Sequence, residues 1–179
     1  MPMPRHIIRR LVVAAGLAAL AIPAARAIMT RVPAGIEPVS GFDAARYMGR
    51  WFEIARLDHR FERGMTDVTA TYGLNGDGTV RVVNRGLKDG RWKSIEGTAR
   101  FRGTPDMASL AVSFFPLLSG GYHVFALDED YAWAMISGPD RGYLWILARE
   151  PRMDEGLYRR LVEIAREKGF AVEGLVRVT

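Results

Sequence analysis

The sequence predicts an all-β protein: an eight-stranded antiparallel up-and-down barrel, one C-terminal helix packed outside it, and a final short strand. Three observations predict it. Over residues 49–149 apolar and polar residues alternate with a period near two, broken by turn chemistry about every eight to twelve residues. No helix-length pattern interrupts that series, which excludes parallel crossovers. One amphipathic helix follows, and a single helix cannot cover both faces of eight strands, so the sheet must close on itself.

At the N-terminus Arg5, His6, Arg9 and Arg10 precede an apolar run over 11–22, then Pro23 and Ala25-Arg26-Ala27. Residues 1–27 read as a signal peptide, cleaved after Ala27, or as a retained N-terminal anchor. The run is short for a membrane span, which needs about 20 residues. Residues 28–40, with Pro33, Gly35 and Pro38, read as a linker or a strap along the body. Residues 41–179 form the barrel domain. Ser40, Gly41 and Asp43 seed a short helical turn over 42–48. Gly49 then lets the chain bend into the first strand, and Trp51 needs a deep apolar socket.

The strand patterns are 50–57, 66–74, 79–87, 92–102, 108–115, 122–128, 131–137 and 142–149. Between them lie Asn75-Gly76-Asp77-Gly78, Lys88-Asp89-Gly90, Gly103-Thr104-Pro105-Asp106, Ser119-Gly120-Gly121 and Gly138-Pro139-Asp140. Asn-Gly and Asp-Gly are strong hairpin signals. Asp154 caps the helix that follows. Leu157, Leu161, Ile164 and Ala165 form its apolar stripe, opposite Arg159, Arg160, Glu163 and Arg166. Gly169 ends it, and residues 170–178 form the last strand.

Composition removes several function classes. The chain has 179 residues and no cysteine, so disulfides, thiolate metal sites and thiol nucleophiles are excluded. The net charge of +5 sits at the N-terminus. Setting aside Arg5, Arg9, Arg10 and Arg26 leaves 21 of the 25 basic residues against 20 acidic ones. No basic stripe is interleaved with aromatics, so a nucleic-acid partner is not expected. His6, His59 and His123 have no metal-ligand spacing. No Gly-x-Ser-x-Gly elbow and no phosphate-binding glycine loop occurs. Neither a metal, a cofactor nor an enzymatic activity is expected. Glu53 and Tyr122 would be the acid/base candidates of an enzymatic alternative.

Three short motifs now carry a resemblance. Gly49-Arg50-Trp51 opens the first strand. Asp128-Glu129-Asp130-Tyr131 lies between strands six and seven, with Glu129 where a Thr is usual. Arg149 ends strand eight. In this order they resemble the lipocalin family, and most of all its bacterial outer-membrane and apolipoprotein D-like group. Runs such as Val112-Ser113-Phe114-Phe115 and Tyr143-Leu144-Trp145-Ile146-Leu147 extend the likeness over residues 38–178. The alternation of loops between barrel ends places Trp51, Asp128, Tyr131 and Arg149 together at one end. With Gly49 they are expected to close the barrel, Arg149 stacking on Trp51 for about 0.5–2 kcal/mol. The bacterial group is usually acylated on a Cys after the signal, which this chain lacks.

Period-two parity from these anchors gives an inward set: Glu53 and Ala55; Tyr122, Val124 and Ala126; Trp133 and Met135; Tyr143, Trp145 and Leu147. By apolar face alone, Val80, Val82 and Asn84 join from strand three, and Leu110, Val112 and Phe114 from strand five. Strands two and four are ambiguous. Glu53, Ala55, Val82, Asn84, Val112, Phe114, Tyr122, Val124, Trp133, Met135 and Trp145 are the expected ligand-binding residues. The resemblance implies binding and carriage or storage of a small hydrophobic ligand, a fatty acid or lysophospholipid, within the bacterial cell envelope. The chain is expected to be exported across the inner membrane and periplasmic. In an alternative reading the barrel is a scaffold for interaction or dimerisation. Phe115, Pro116, Leu117 and Leu118 form an apolar loop tip suited to a membrane surface or a second copy. Arg60, Arg63, Lys88 and Arg141 share the mouth loops and suit a charged head group.

Overall fold

A computed structural model describes residues 29–178; the signal or anchor expected over 1–27 lies outside the described residues. The elements are a four-residue helix α1 (Ala44–Tyr47), strands β1 (Gly49–Leu57), β2 (Thr66–Leu74), β3 (Val80–Lys88), β4 (Arg91–Phe101), β5 (Ser109–Phe115), β6 (Leu118–Leu127), β7 (Trp133–Ser137) and β8 (Leu144–Ala148), then helix α2 (Glu155–Glu167), a 3-10 turn (Val172–Gly174) and β9 (Leu175–Arg177). Every strand pairing is antiparallel, and β1 to β8 pair in sequence order. β1 closes the barrel by pairing with β2 through Gly49↔Tyr72 to Phe52↔Thr69, and with β8 from Phe52↔Ala148 onward. Where β2 leaves β1, β9 takes its place at Ala55–Leu57, and Val178 N donates to Ile54 O. Two sequence expectations shorten. The last strand holds three residues after the 3-10 turn, and β6 begins at Leu118, so the β5–β6 loop is only its tip.

Two apolar clusters divide the molecule. The inner one fills the barrel with Trp51, Tyr72, Val82, Leu110, Val124 and Ile136 among others. The outer one packs α2 against the wall through Leu161 and Ala165, which meet Ile54, Met135 and Ile146. Asp154 accepts from Leu157 N at 2.9 Å and caps α2, and Gly169, at φ +82°, terminates it. Among the described residues no helix is long and apolar enough to cross a membrane.

Residues 29–40 form a strap bonded to the wall. Val39 N donates to Val124 O at 2.8 Å, and Ala108 N donates to Val39 O at 2.9 Å. Ile36 is buried in the outer cluster. His123 points away from the lumen, as parity requires, yet the strap buries it completely. Its Nε2 lies 2.8 Å from Arg31 O and its Nδ1 3.0 Å from Ser109 Oγ. A neutral ring satisfies both contacts, donating to the carbonyl and accepting from the hydroxyl. Burial pushes its pKa down to about 4.

Parity fails at three places, each with a backbone cause. The β1–β8 register shifts between Glu53 and Ala55, and the β6–β7 register between Val124 and Ala126. Each bulge inserts one residue and reverses the faces beyond it. Tyr131 sits at φ +61°, in the turn before β7, so it does not set the parity of that strand. In consequence Ala55, Ala126, Trp133 and Met135 belong to the outer cluster under α2, not to the lumen. Ala134 and Ile136 face inward in their place.

Candidate functional site: the barrel lumen

The closed end is built around one guanidinium. Arg149 leaves β8 and lies over the Trp51 ring at 4.0 Å. It donates to Arg46 O at 2.7 Å, Arg50 O at 3.0 Å and Tyr131 O at 3.3 Å. Trp51 Nε1 donates to Tyr47 O at 2.8 Å. Gly49 has φ +93°, and a Cβ there would stand 3.3 Å from Arg149 Nη1, so only glycine suits both the turn and the approach. Asp128 accepts from Asp130 N and Ala132 N, while the Tyr131 hydroxyl accepts from Asp43 N at 2.8 Å. Arg46 covers the Tyr131 ring at 4.3 Å. The sequence-derived closing set, Gly49, Trp51, Asp128, Tyr131 and Arg149, is brought together here.

Above this plug the lumen has two halves of different character. The lower half is packed. Tyr47, Tyr72 and Tyr122 meet there, and beside them remains a void of about 10 Å³ lined also by Phe42, Leu110 and Val112. Toward the mouth, residues 91–96 of β4 are exposed on both faces. Register pairs Val82 with Gly97, Asn84 with Ile95 and Gly86 with Lys93, so all these residues face the same way as inward Val82. Ile95 is 37% exposed and Lys93 is exposed, although both point into the barrel. β5 pairs with β4 only over Thr98–Phe101, so the β3–β4 hairpin stands past that neighbour. Gly97 has a steric role: a Cβ there would lie 2.6 Å from the Phe114 ring. Its absence lets that ring lie along the wall.

A polar group crosses the upper half on the β1 side. Arg56 is 1% exposed. Its Nη1 donates to Glu53 Oε1 at 2.8 Å, and its Nη2 donates to Glu62 O at 2.8 Å and Met65 O at 3.2 Å. The β1–β2 loop is thereby folded over the mouth. Glu62 Oε2 accepts from Trp145 Nε1 at 3.0 Å and lies 2.9 Å from His59 Nε2. Burial and then the Glu62 charge push the Glu53 carboxyl up to about 8, against the pull of Arg56. Burial also opposes ionisation of Glu62, but the His59 and Trp145 contacts outweigh it, and its pKa falls. Of two nearby buried carboxyls, one carries the charge and the other keeps its proton.

Of the expected ligand-binding residues, Glu53, Val82, Asn84, Val112, Phe114, Tyr122, Val124 and Trp145 face the lumen; Ala55, Trp133 and Met135 do not. Among the expected head-group cations, Arg141 is committed elsewhere, donating to Lys168 O and Ala34 O at 2.6 Å each. Arg63 pairs with Asp58, and Arg60 covers Phe61 at 4.8 Å. Sequence reasoning missed Tyr47, Tyr72, Arg56 and Glu62. Tyr72 lies on a strand with two mixed faces, and Arg56 reaches the lumen only through the bulge. Among the described residues no group of three or more potential ligands could hold a metal ion.

The protonation of Glu53 has a consequence for stability. Its folded pKa, about 8, stands above the usual 4.5, so the folded state holds a proton that the unfolded state has lost. The contribution is complete below about pH 4.5 and declines as pH rises toward 8. Chemical denaturation of wild type and Glu53→Gln across this range should show the wild type losing stability relative to the variant as pH rises; a pH-independent difference would contradict it.

Comparison with known proteins agrees with this geometry. The chain is 49% identical over 148 residues to outer membrane lipoprotein Blc of Citrobacter freundii, covering 82% of this chain and 84% of that protein. It is 48% identical to the Blc of Escherichia coli K12, with the same coverage. Insecticyanin of the tobacco hornworm Manduca sexta superposes with a TM-score of 0.66 at 17% identity, over 84% of this chain and 87% of that one, a likeness of fold. A family model described as a lipocalin-like domain matches residues 42–179, and the chain belongs to the lipocalin family.

Proposed function

We propose that the chain binds and carries a small hydrophobic ligand, a fatty acid or lysophospholipid, in the barrel lumen within a bacterial envelope. The observation that carries this reading is the closed barrel with an apolar interior, where half-buried Phe114 and exposed Ile95 lie on the inward face toward the mouth and Lys93 stands beyond them at the rim. An acyl chain against that wall gains about 0.8 kcal/mol per buried CH₂, on the order of 10 kcal/mol gross for a long chain before ordering costs. Lys93 suits the carboxylate or phosphate. Binding rather than catalysis is the reading, because Glu53 is held by Arg56 and presents no free base to the lumen.

Titration with oleate or lysophosphatidylcholine should quench Trp145, whose ring is inward, and leave Trp133, which lies under α2. Trp145→Phe is expected to lose the signal and Trp133→Phe to keep it. A wild-type protein with no saturable change argues against the reading.

The relatives are named outer membrane lipoproteins, but this sequence has no cysteine to acylate. We infer export and cleavage after Ala27, giving a periplasmic carrier. N-terminal sequencing of the protein from its host should then begin at Ile28; a retained N-terminus in washed membranes refutes this.

A second reading rests on the β5–β6 tip. Phe115, Leu117 and Leu118 are 58%, 70% and 61% exposed, and such a run favours contact with a membrane surface or a second copy. Light scattering of Leu117→Asp should show loss of self-association with lipid binding intact if the tip joins two copies; an unchanged mass removes the dimer.

A further inference from the structure

The turn that joins β5 to β6 breaks a local rule. Phe115 pairs with Leu118, so Pro116 and Leu117 alone make the turn. Leu117 has φ +67°, a conformation that a Pro-led turn gives to Gly or Asn at this position, because a Cβ is crowded there. The other non-glycine residues with positive φ are Asp67, Asp89 and Tyr131. Aspartate tolerates that region, and the Tyr131 hydroxyl is tied to Asp43 N inside the closed end. Leu117 has no such compensation: it is 70% exposed, more than any other large apolar side chain described. The fold gains no burial from a leucine here, and a strained residue that the fold does not use points to function.

The exposure is one-sided. Strands alternate in direction, so the β1–β2, β3–β4, β5–β6 and β7–β8 connections all lie at the mouth. Phe61 lies in the first, Trp92 beside the second, and Phe115, Leu117 and Leu118 at the third, all exposed. Among the described residues the closed end exposes only Leu74, the last residue of β2. Charge divides the same way. The β3–β4 hairpin carries Lys88, Arg91 and Lys93 against Asp89, and Arg85 lies over the Trp92 ring at 4.1 Å. The closed-end connections carry Asp77, Asp106, Asp128, Glu129 and Asp130 against Arg102. The strap also begins on the mouth side. Arg31 Nε donates to Pro139 O, in the β7–β8 connection, at 3.3 Å. A Cβ on Gly121, just past the tip on β6, would stand 3.4 Å from Arg31 O. The strap reaches the closed end at Ser40, which pairs with Met107. Residues 1–28 therefore join the barrel on its mouth side.

We propose that the mouth docks on an anionic phospholipid surface, with Leu117 and its neighbours Phe115 and Leu118 inserted among the acyl chains and the cations of the β3–β4 hairpin set against the lipid phosphates. This deepens the membrane reading of the β5–β6 tip and rests on it. Exposed apolar side chains beside cations bind such a surface by burial together with attraction to acidic lipids. A second copy docked mouth to mouth would instead set two basic hairpins against each other. On the surface the mouth faces the lipid, and the segment that precedes Met29 joins the barrel on the same side.

The test uses the processed chain, residues 28–179, which holds every described element. Co-sedimentation is measured with vesicles of phosphatidylcholine alone or mixed with phosphatidylglycerol. Wild type should bind the mixed vesicles, with affinity about tenfold lower on neutral vesicles or at high salt. Leu117→Asn suits the turn, so its Tm should equal or exceed that of wild type. Its affinity for mixed vesicles should nevertheless fall about tenfold. Leu74→Asn, at the closed end, should bind as wild type does. Equal binding by wild type and Leu117→Asn overturns the proposal, and so does a lower Tm of Leu117→Asn, because the leucine then serves the fold. Equal binding to neutral and acidic vesicles, still weakened by Leu117→Asn, overturns the anionic partner and leaves the tip reading standing. A wild type that ignores both vesicles, and whose mass by light scattering halves in Leu117→Asn, overturns both and assigns the tip to a second copy. Quenching of Trp145 by oleate reads the lumen separately: a chain that docks and takes no oleate counts against carriage, and one that takes oleate and stays off the vesicles counts against docking.

Discussion

The barrel depends on one side chain that joins segments far apart in sequence. Arg149 ends β8, but its hydrogen bonds go to the carbonyls of Arg46, Arg50 and Tyr131, and its face to Trp51. Those groups belong to α1, β1 and the β6–β7 turn. Carbonyls freed at the ends of short elements need donors, and a planar guanidinium offers several in fixed directions. A Lys carries its three donors on one nitrogen and has no planar face to lay on Trp51. The plug also fixes where α1 lies, and α1 carries Tyr47 into the lumen. The lumen floor is thus positioned by a residue that does not itself line it.

The lumen is graded in polarity. At the floor the polar atoms are neutral phenols among apolar walls. On the β1 side of the mouth half they include charges, the Arg56 guanidinium beside a protonated Glu53 and the Glu62 carboxylate beside His59. Opposite them, the first six residues of β4 are exposed. Charge is tolerated where partners or water compensate it, and excluded where neither is available. The folded β1–β2 loop belongs to the same balance. Its Glu62 and Met65 carbonyls take the Nη2 protons of a buried guanidinium that Glu53 alone would leave unsatisfied.

The strand series, the helix with its Asp154 cap and Gly169 stop, and the closing motif were legible in the sequence because each depends on local chemistry or on loops alternating between two ends. Register is different. Parity carried from an anchor holds only while no residue is inserted. It held on β8, where Trp145 faces inward; on β3 and β5 the apolar face alone placed Val82 and Phe114 inward. It failed on β1 and β7, where Ala55, Trp133 and Met135 pack beneath α2. Ala55 and Met135 are small or flexible apolar residues that suit either side of a wall, so composition could not reveal the error. Tyr72 was hidden for another reason: β2 mixes polar and apolar residues on both faces, and the partner hydroxyl, Tyr122, lies fifty residues away.

The β1 bulge is more than an irregularity, as Glu53 and Arg56 demonstrate. Residues three apart in a regular strand point to opposite faces. Without the inserted residue, Arg56 would face α2 and its guanidinium would lie in the outer apolar cluster. With it, Ile54 and Ala55 both turn toward the helix, and Arg56 returns to the lumen 2.8 Å from Glu53. The same insertion therefore supplies the apolar seat for α2 and the buried guanidinium that holds the mouth loop. Restoring ideal register would cost both at once, which is a physical reason for a strand with neighbours on both edges to carry a bulge at its midpoint.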